Sequence, residues 1–186
     1  MKTNKELEFK SVITKEQYEA LVKEFDLENN IYAQTNFYFD TPDYKLKQMH
    51  TVLRIRQKNS NYKLTKKEHG MQENEAAESH IFLQEKQALK LLHEGFNAII
   101  LDLPYDVKNV CELTTYRCKT PYKDGTLFFD RSVYYGHTDY EVEYEVSDIK
   151  QGLKDFKEFL SLNNIEYKET ERKSTRAYSC IMNKDK

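Results

Sequence analysis

The chain has 186 residues, of which 31 are acidic and 29 basic, for a formal net charge of −2. That length suits one domain with a real core, and the near balance of charge argues against a protein that coats nucleic acid through a global basic field. Mean hydropathy is low at −0.85, yet aromatic residues reach 13%, enough to build a core and to exclude a disordered chain.

The segment Glu6-Leu7-Glu8-Phe9-Lys10 alternates charged and apolar residues with period two, which predicts a strand over about 5–12. A helix is expected from Lys15, with Thr14 and Gln17 as a capping box and Tyr18, Leu21, Val22 and Phe25 on one apolar face. A second strand fits 31–40 and stops at Thr41-Pro42. Strands at 51–57 and 62–68 carry mostly basic residues on their charged faces, and a fifth is placed at about 72–78. A helix over 82–93 should end at Gly95, followed by a short helix at 97–101. Three more strands fit 110–121, 126–134 and 140–146, with Lys123-Asp124-Gly125 as a turn signal. A helix over 148–163 shows Ile149, Leu153, Phe156 and Leu160 on one stripe, and a last helical segment covers about 170–182. The expected fold class is α+β, mainly β: an eight-stranded antiparallel barrel with flanking helices.

The most informative stretch is Tyr140-Glu141-Val142-Glu143-Tyr144-Glu145-Val146. As a strand it puts Glu141, Glu143 and Glu145 on one face, roughly 7 Å apart. Such a row repels itself unless water, a cation or basic side chains answer it. Leu53-Arg54-Ile55-Arg56 and Lys63-Leu64-Thr65-Lys66-Lys67 offer the complementary basic faces. If the apolar faces pack under the helices, the charged faces turn inward. Burying unpaired charge costs several kcal/mol each, so that interior must be wet, internally paired or built to hold ions. Carboxylate oxygens are hard ligands suited to Mg²⁺ or Mn²⁺, and Arg and Lys bind phosphate oxygens by charge-assisted hydrogen bonds. On spacing alone, a solvated face of an edge strand is the competing reading.

No apolar run reaches membrane-spanning length; residues 97–103 are the longest candidate. No apolar signal-peptide region precedes the first charged strand. Cys111, Cys118 and Cys180 form no CxxC pair, so free thiols in a reducing cytoplasm are expected. Only five glycines occur and no GxxxxGK, so any phosphate must be held by side chains rather than a Walker loop.

Taken together these motifs resemble the CYTH family, the triphosphate tunnel metalloenzymes. ExExK stands as Glu6-Leu7-Glu8-Phe9-Lys10, and Tyr38-Phe39-Asp40-Thr41, Leu53-Arg54-Ile55-Arg56 and Leu64-Thr65-Lys66-Lys67 follow in order. Glu73 and Glu75, then Arg117, Asp130, Tyr140 to Glu143, and Lys173 with Arg176 complete the series. The arginine often found before the acidic fifth strand is replaced by Gln72 or a neighbour. The resemblance spans essentially the whole chain as a single CYTH domain, closest in character to the small stand-alone bacterial members.

The resemblance implies a divalent-metal-dependent triphosphatase in the cytoplasm. Glu6, Glu8, Lys10, Arg56 and Lys67 would be catalytic. Metal candidates are Glu6, Glu8, Glu73, Glu75, Asp130, Glu141, Glu143 and Glu145, the last at the rim or in support. Phosphate candidates are Lys10, Arg54, Arg56, Lys63, Lys67, Arg117, Lys119, Lys173 and Arg176, with salt bridging to glutamates as their competing role. Tyr38 and Asp40 either line the tunnel or anchor their strand, with anchoring favoured because Thr41-Pro42 puts them at a strand end. The expected partner is a triphosphate-containing small molecule, with neither nucleic acid nor membrane and with a homodimer left open. The alternatives are a class IV-type adenylyl cyclase, a thiamine triphosphatase, or a non-enzymatic polyphosphate- or triphosphate-binding module.

Overall fold

The computed structural model describes the backbone of residues 2–69, 75–168 and 170–182, and side chains over 6–68, 76–168 and 170–182. Among the described residues there are nine strands: β1 (Lys2–Val12), β2 (Tyr32–Asp40), β3 (Thr51–Lys58), β4 (Asn61–His69), β5 (Glu75–Leu83), β6 (Phe96–Asn97), β7 (Asp106–Tyr122), β8 (Gly125–Tyr134) and β9 (His137–Val146). The helices are α1 (Lys15–Glu24), α2 (Lys45–Gln48), α3 (Glu85–Glu94), α4 (Ile149–Leu162) and α5 (Lys173–Met182). Strand order is β2-β3-β4-β5-β1-β9-β8-β7-β6, and β2 also pairs with β7. Eight strands therefore close into an antiparallel barrel topology, with the two-residue β6 appended to β7.

The chain divides into two compact units. The first holds residues 1–5, 34–114 and 172–186; the second holds 6–33 and 115–171. Each has its own core, and period-two alternation builds both. In the first unit Phe39, Leu53, Ile55 and Leu64 point from β2, β3 and β4 to one face, where they bury with Leu46 of α2 and Ala88 of α3. In the second, Phe9, Leu127, Phe129, Val142 and Tyr144 form the apolar face, covered by Leu21 and Val22 of α1 and Phe156, Phe159 and Leu160 of α4. The residues between them on the same strands carry the charge.

Capping follows the sequence closely. Thr14 and Gln17 make the expected capping box of α1, and the Asp148 side chain accepts from Gln151 N at the start of α4. The largest difference lies at β5. It runs to Leu83, so Phe82 is strand rather than helix. The register pairs Leu64 with Ile81 and Tyr62 with Leu83, which keeps Ile81 and Leu83 packed against the first core. A second capping box, Gln84 with Gln87, then starts α3 at Glu85. The expected helix at 97–101 is a 3₁₀ turn, Ala98–Leu101, capped by Asn97, and α5 begins at Lys173 rather than near 170.

Candidate active site

In the second unit, β8 and β9 set Asp130 directly opposite Glu141, and Glu143 two residues along lies on the same face. Asp130, Glu141 and Glu143 are all buried, and one carboxylate oxygen from each lies within 4.8 Å of the others. β7 supplies the counter-charge. Arg117 donates through Nε to Asp130 Oδ1 at 2.7 Å and through Nη2 to Asp130 Oδ2 at 2.5 Å. The same Nη2 donates to Glu143. The guanidinium also lies 4.5 Å over the Phe128 ring, which fixes its plane.

The electrostatics follow from crowding. Burial pushes the Glu143 carboxyl up to about 7, against the pull of Arg117 and with added repulsion from Asp130 and Glu8. Burial also works against the Arg117 charge, but Asp130 and Glu143 outweigh it and raise its pKa well above the ordinary value. Arg117 thus joins two of the three clustered carboxylates, Asp130 and Glu143. A further cation with hard oxygen preference fits such a donor set.

β1 runs antiparallel beside β9, pairing Lys10 with Glu143 and Glu8 with Glu145. Glu6, Glu8 and Lys10 share one face by alternation, and Lys10 Nζ lies 3.7 Å from Glu8 Oε1. Glu145 and Lys119 are exposed, at the outer end of this acidic row and of the β7 face that carries Arg117.

The first unit carries the basic face. Register pairs Arg56 with Lys63, Arg54 with Thr65 and Val52 with Lys67 across β3 and β4, and Lys67 with Glu78 across β4 and β5. Arg54, Arg56, Lys63 and Lys67 therefore share one face. Arg56 Nε donates to Asn36 Oδ1 at 2.8 Å, and Arg54 Nη2 donates to Glu78 Oε1 at 3.1 Å. Burial alone would raise the Glu78 pKa, but Arg54, Lys67, Lys63 and Arg56 together lower it. Arg176 of α5 belongs to the same neighbourhood: with Arg54 and Arg56 it opposes the burial that raises the Tyr38 pKa. Lys173 stands one turn earlier on that helix.

A family profile described as CYTH domain matches residues 4–178. The chain belongs to the CYTH family. Its relatives include the Bacillus subtilis (strain 168) protein "Putative triphosphatase YjbK", 33% identical over 181 residues, spanning 93% of this chain and 94% of that protein. A crystal structure of a "putative adenylate cyclase" from Bacillus halodurans superposes with a TM-score of 0.84 at 29% identity, covering 95% of this chain and 98% of that one. "Putative adenylyl cyclase HpAC1" from Hippeastrum, described as having a dominant triphosphatase activity, shares the fold with a TM-score of 0.66 at 16% identity, covering 90% and 92% of the two chains.

Within this CYTH chain the expected residues fall into two sets. Glu6, Glu8, Lys10, Arg117, Lys119, Asp130, Glu141, Glu143 and Glu145 lie in the second unit; Arg54, Arg56, Lys63, Lys67, Lys173 and Arg176 lie in the first. Glu73 and the Glu75 side chain fall outside the described residues. Asp40 is an anchor: its carboxylate accepts from the backbone of Thr41, Leu46 and Lys47 and holds the start of α2. Tyr38 pairs across β2–β3 with Arg54, on the charged face. Sequence reasoning missed Glu78, Asn36 and Thr65 as members of the basic face. The alternation continuing through Glu78-Ser79-His80 was the available signal. All three cysteines are free thiols, and burial pushes those of Cys111 and Cys118 up to about 12 and about 11, which makes them poor nucleophiles at neutral pH. Among the described residues no helix is long and apolar enough to cross a membrane.

Proposed function

We propose that the chain acts as one CYTH domain that hydrolyses triphosphate substrates with a divalent ion, Mg²⁺ or Mn²⁺. The observation that carries this reading is the buried trio Asp130, Glu141 and Glu143, whose carboxylate oxygens converge within 4.8 Å, with Arg117 joining Asp130 and Glu143. Glu6 and Glu8, and Glu145 at the outer end, extend the same acidic row and are the further candidates for holding the ion. When bound, a divalent ion neutralises phosphate charge and lowers the pKa of a bound water. Arg54, Arg56, Lys63 and Lys67 supply donors to phosphate oxygens, where charge-assisted bonds are strongest. Lys10, Arg117, Lys119, Lys173 and Arg176 supply further positive charge. Net hydrolysis adds water across the terminal phosphoanhydride and gives phosphate and diphosphate. The name of the Bacillus subtilis relative and the description of the Hippeastrum protein support hydrolysis.

The Bacillus halodurans name favours a second reading, an adenylyl cyclase. Cyclisation needs the ribose 3′-hydroxyl aligned on the α-phosphorus, and such orientation is worth several kcal/mol of barrier. No sequence motif marks a base-recognition site, so affinity should come from the phosphates. Inorganic triphosphate is then turned over at least as well as ATP, and ATP gives ADP and phosphate. Chromatography of the ATP reaction decides: cyclic AMP and diphosphate as main products reverse the assignment.

A further inference from the structure

Glu78 was not among the residues expected at the site, and its surroundings are unusual. It faces four cations on its own sheet: Arg54, Arg56, Lys63 and Lys67 all pull its pKa down. It is directly opposite Lys67 in register and takes one arm of Arg54 at 3.1 Å. The two side chains are only 14% and 12% exposed, so their attraction is poorly screened. Beside them lies an unmet demand. Arg54 Nε and Thr65 Oγ1 are buried without a hydrogen-bond partner, and the two residues are cross-strand neighbours on one face. Buried polar groups left unsatisfied are costly and call for an explanation. A carboxylate set among Arg and Lys occupies the kind of place a phosphate oxygen would take. Thr65 adds a hydroxyl that a tetrahedral anion can use and that the glutamate does not reach.

We propose that Glu78 is a positioning residue that stands in for phosphate on the basic face and hands Arg54 to the substrate, with Thr65 Oγ1 and Arg54 Nε then donating to the bound phosphate. This rests on the phosphate-binding reading of the basic face. In the empty protein the carboxylate offsets part of the repulsion among the neighbouring cations and holds Arg54 where the substrate needs it. It also competes with the substrate, because a binding-competent arrangement that is only partly populated lowers apparent affinity in proportion. The stand-in therefore costs affinity and lets product leave.

The test is calorimetric titration of the whole protein with inorganic triphosphate in EDTA, so that no effect passes through a metal. Glu78→Gln keeps the size and removes the competing charge; it should bind about fivefold tighter than wild type, within the range of measured pair couplings. Glu78→Asp, one methylene shorter, should fall between the two. Thr65→Val should bind several-fold weaker with an unchanged fold. Glu78→Gln should also melt at lower temperature when empty and gain more from triphosphate than wild type does, a pattern readable even in a weakened variant. A residue of merely structural importance gives loss of affinity, not gain. Wild type binding triphosphate while Glu78→Gln binds equally or more weakly overturns the stand-in. Thr65→Val binding as wild type overturns the hydroxyl's part. Failure of wild type and all variants to bind overturns the phosphate reading itself, and the stand-in with it.

Discussion

Arg117 touches Asp130 and Glu143 from a position 13% exposed, so its removal leaves buried carboxylates facing one another. Breaking such a cluster by deleting one partner costs about 3–5 kcal/mol. Arg117→Ala should therefore lower the melting temperature by roughly 6–20 °C, as read by circular dichroism. Glu141→Gln has a different profile. It keeps the side chain's size and removes one of three converging charges, so melting should change less than in Arg117→Ala, while metal-supported triphosphate turnover falls roughly a hundredfold or more; full activity in a folded Glu141→Gln protein contradicts its assignment to the ion. At this scale the sequence was legible wherever alternation assigns a face: Glu141 and Glu143, and Arg54 and Arg56, each share one as expected. It was not legible where the partner comes from another strand. Nothing local tells that Arg117 reaches both Asp130 and Glu143, or that Glu78 meets Arg54, because both depend on cross-strand register.

Among the elements, α4 shows most directly how packing fixes a functional strand. Gly152 faces β9, and a Cβ there would stand 2.7 Å from Val146 Cγ2 and 2.9 Å from Cγ1. Alanine would gain about 1 kcal/mol of helix propensity but meets a branched side chain with little room to yield, and overpacking costs about 1–3 kcal/mol. Gly152→Ala should lower the melting temperature, and adding Val146→Ala should restore it. The same helix is tied to the β7–β8 turn by Lys123, which donates to Asp155 at 2.9 Å and Glu158 at 2.8 Å. The Lys123 bond holds the Asp155 pKa below its ordinary value, with burial opposing and Gln151 helping. A depressed carboxylate stabilises above its unfolded pKa of about 4, and that contribution is lost as pH falls through the folded value. Asp155→Asn should thus melt lower than wild type at pH 7, and the gap should close below about pH 4. Helix starts were legible because their caps are local, as with Thr14, Gln17 and Asp148. The end of β5 was not: the spacing of Phe82, Leu83 and Ala88 suits a helix, and only pairing of Ile81 and Leu83 with β4 shows otherwise.

The whole molecule repeats one device. Each unit turns the apolar half of its alternating strands to a helix-covered core and keeps the charged half for the opposite face. The closed strand order and the mainly β class followed from eight alternating segments, since period two is a strong signal when it recurs along a chain. The division into two compact units was not visible, because no linker or change of composition marks it. The acidic centre lies in one unit and the basic face in the other. The proposed reaction depends on an ion held by carboxylates. The most direct test is phosphate release from inorganic triphosphate by protein stripped with EDTA, then restored with Mg²⁺ or Mn²⁺. Turnover should be lost on stripping and return on addition of either ion. Full-rate release by the stripped protein would contradict that dependence.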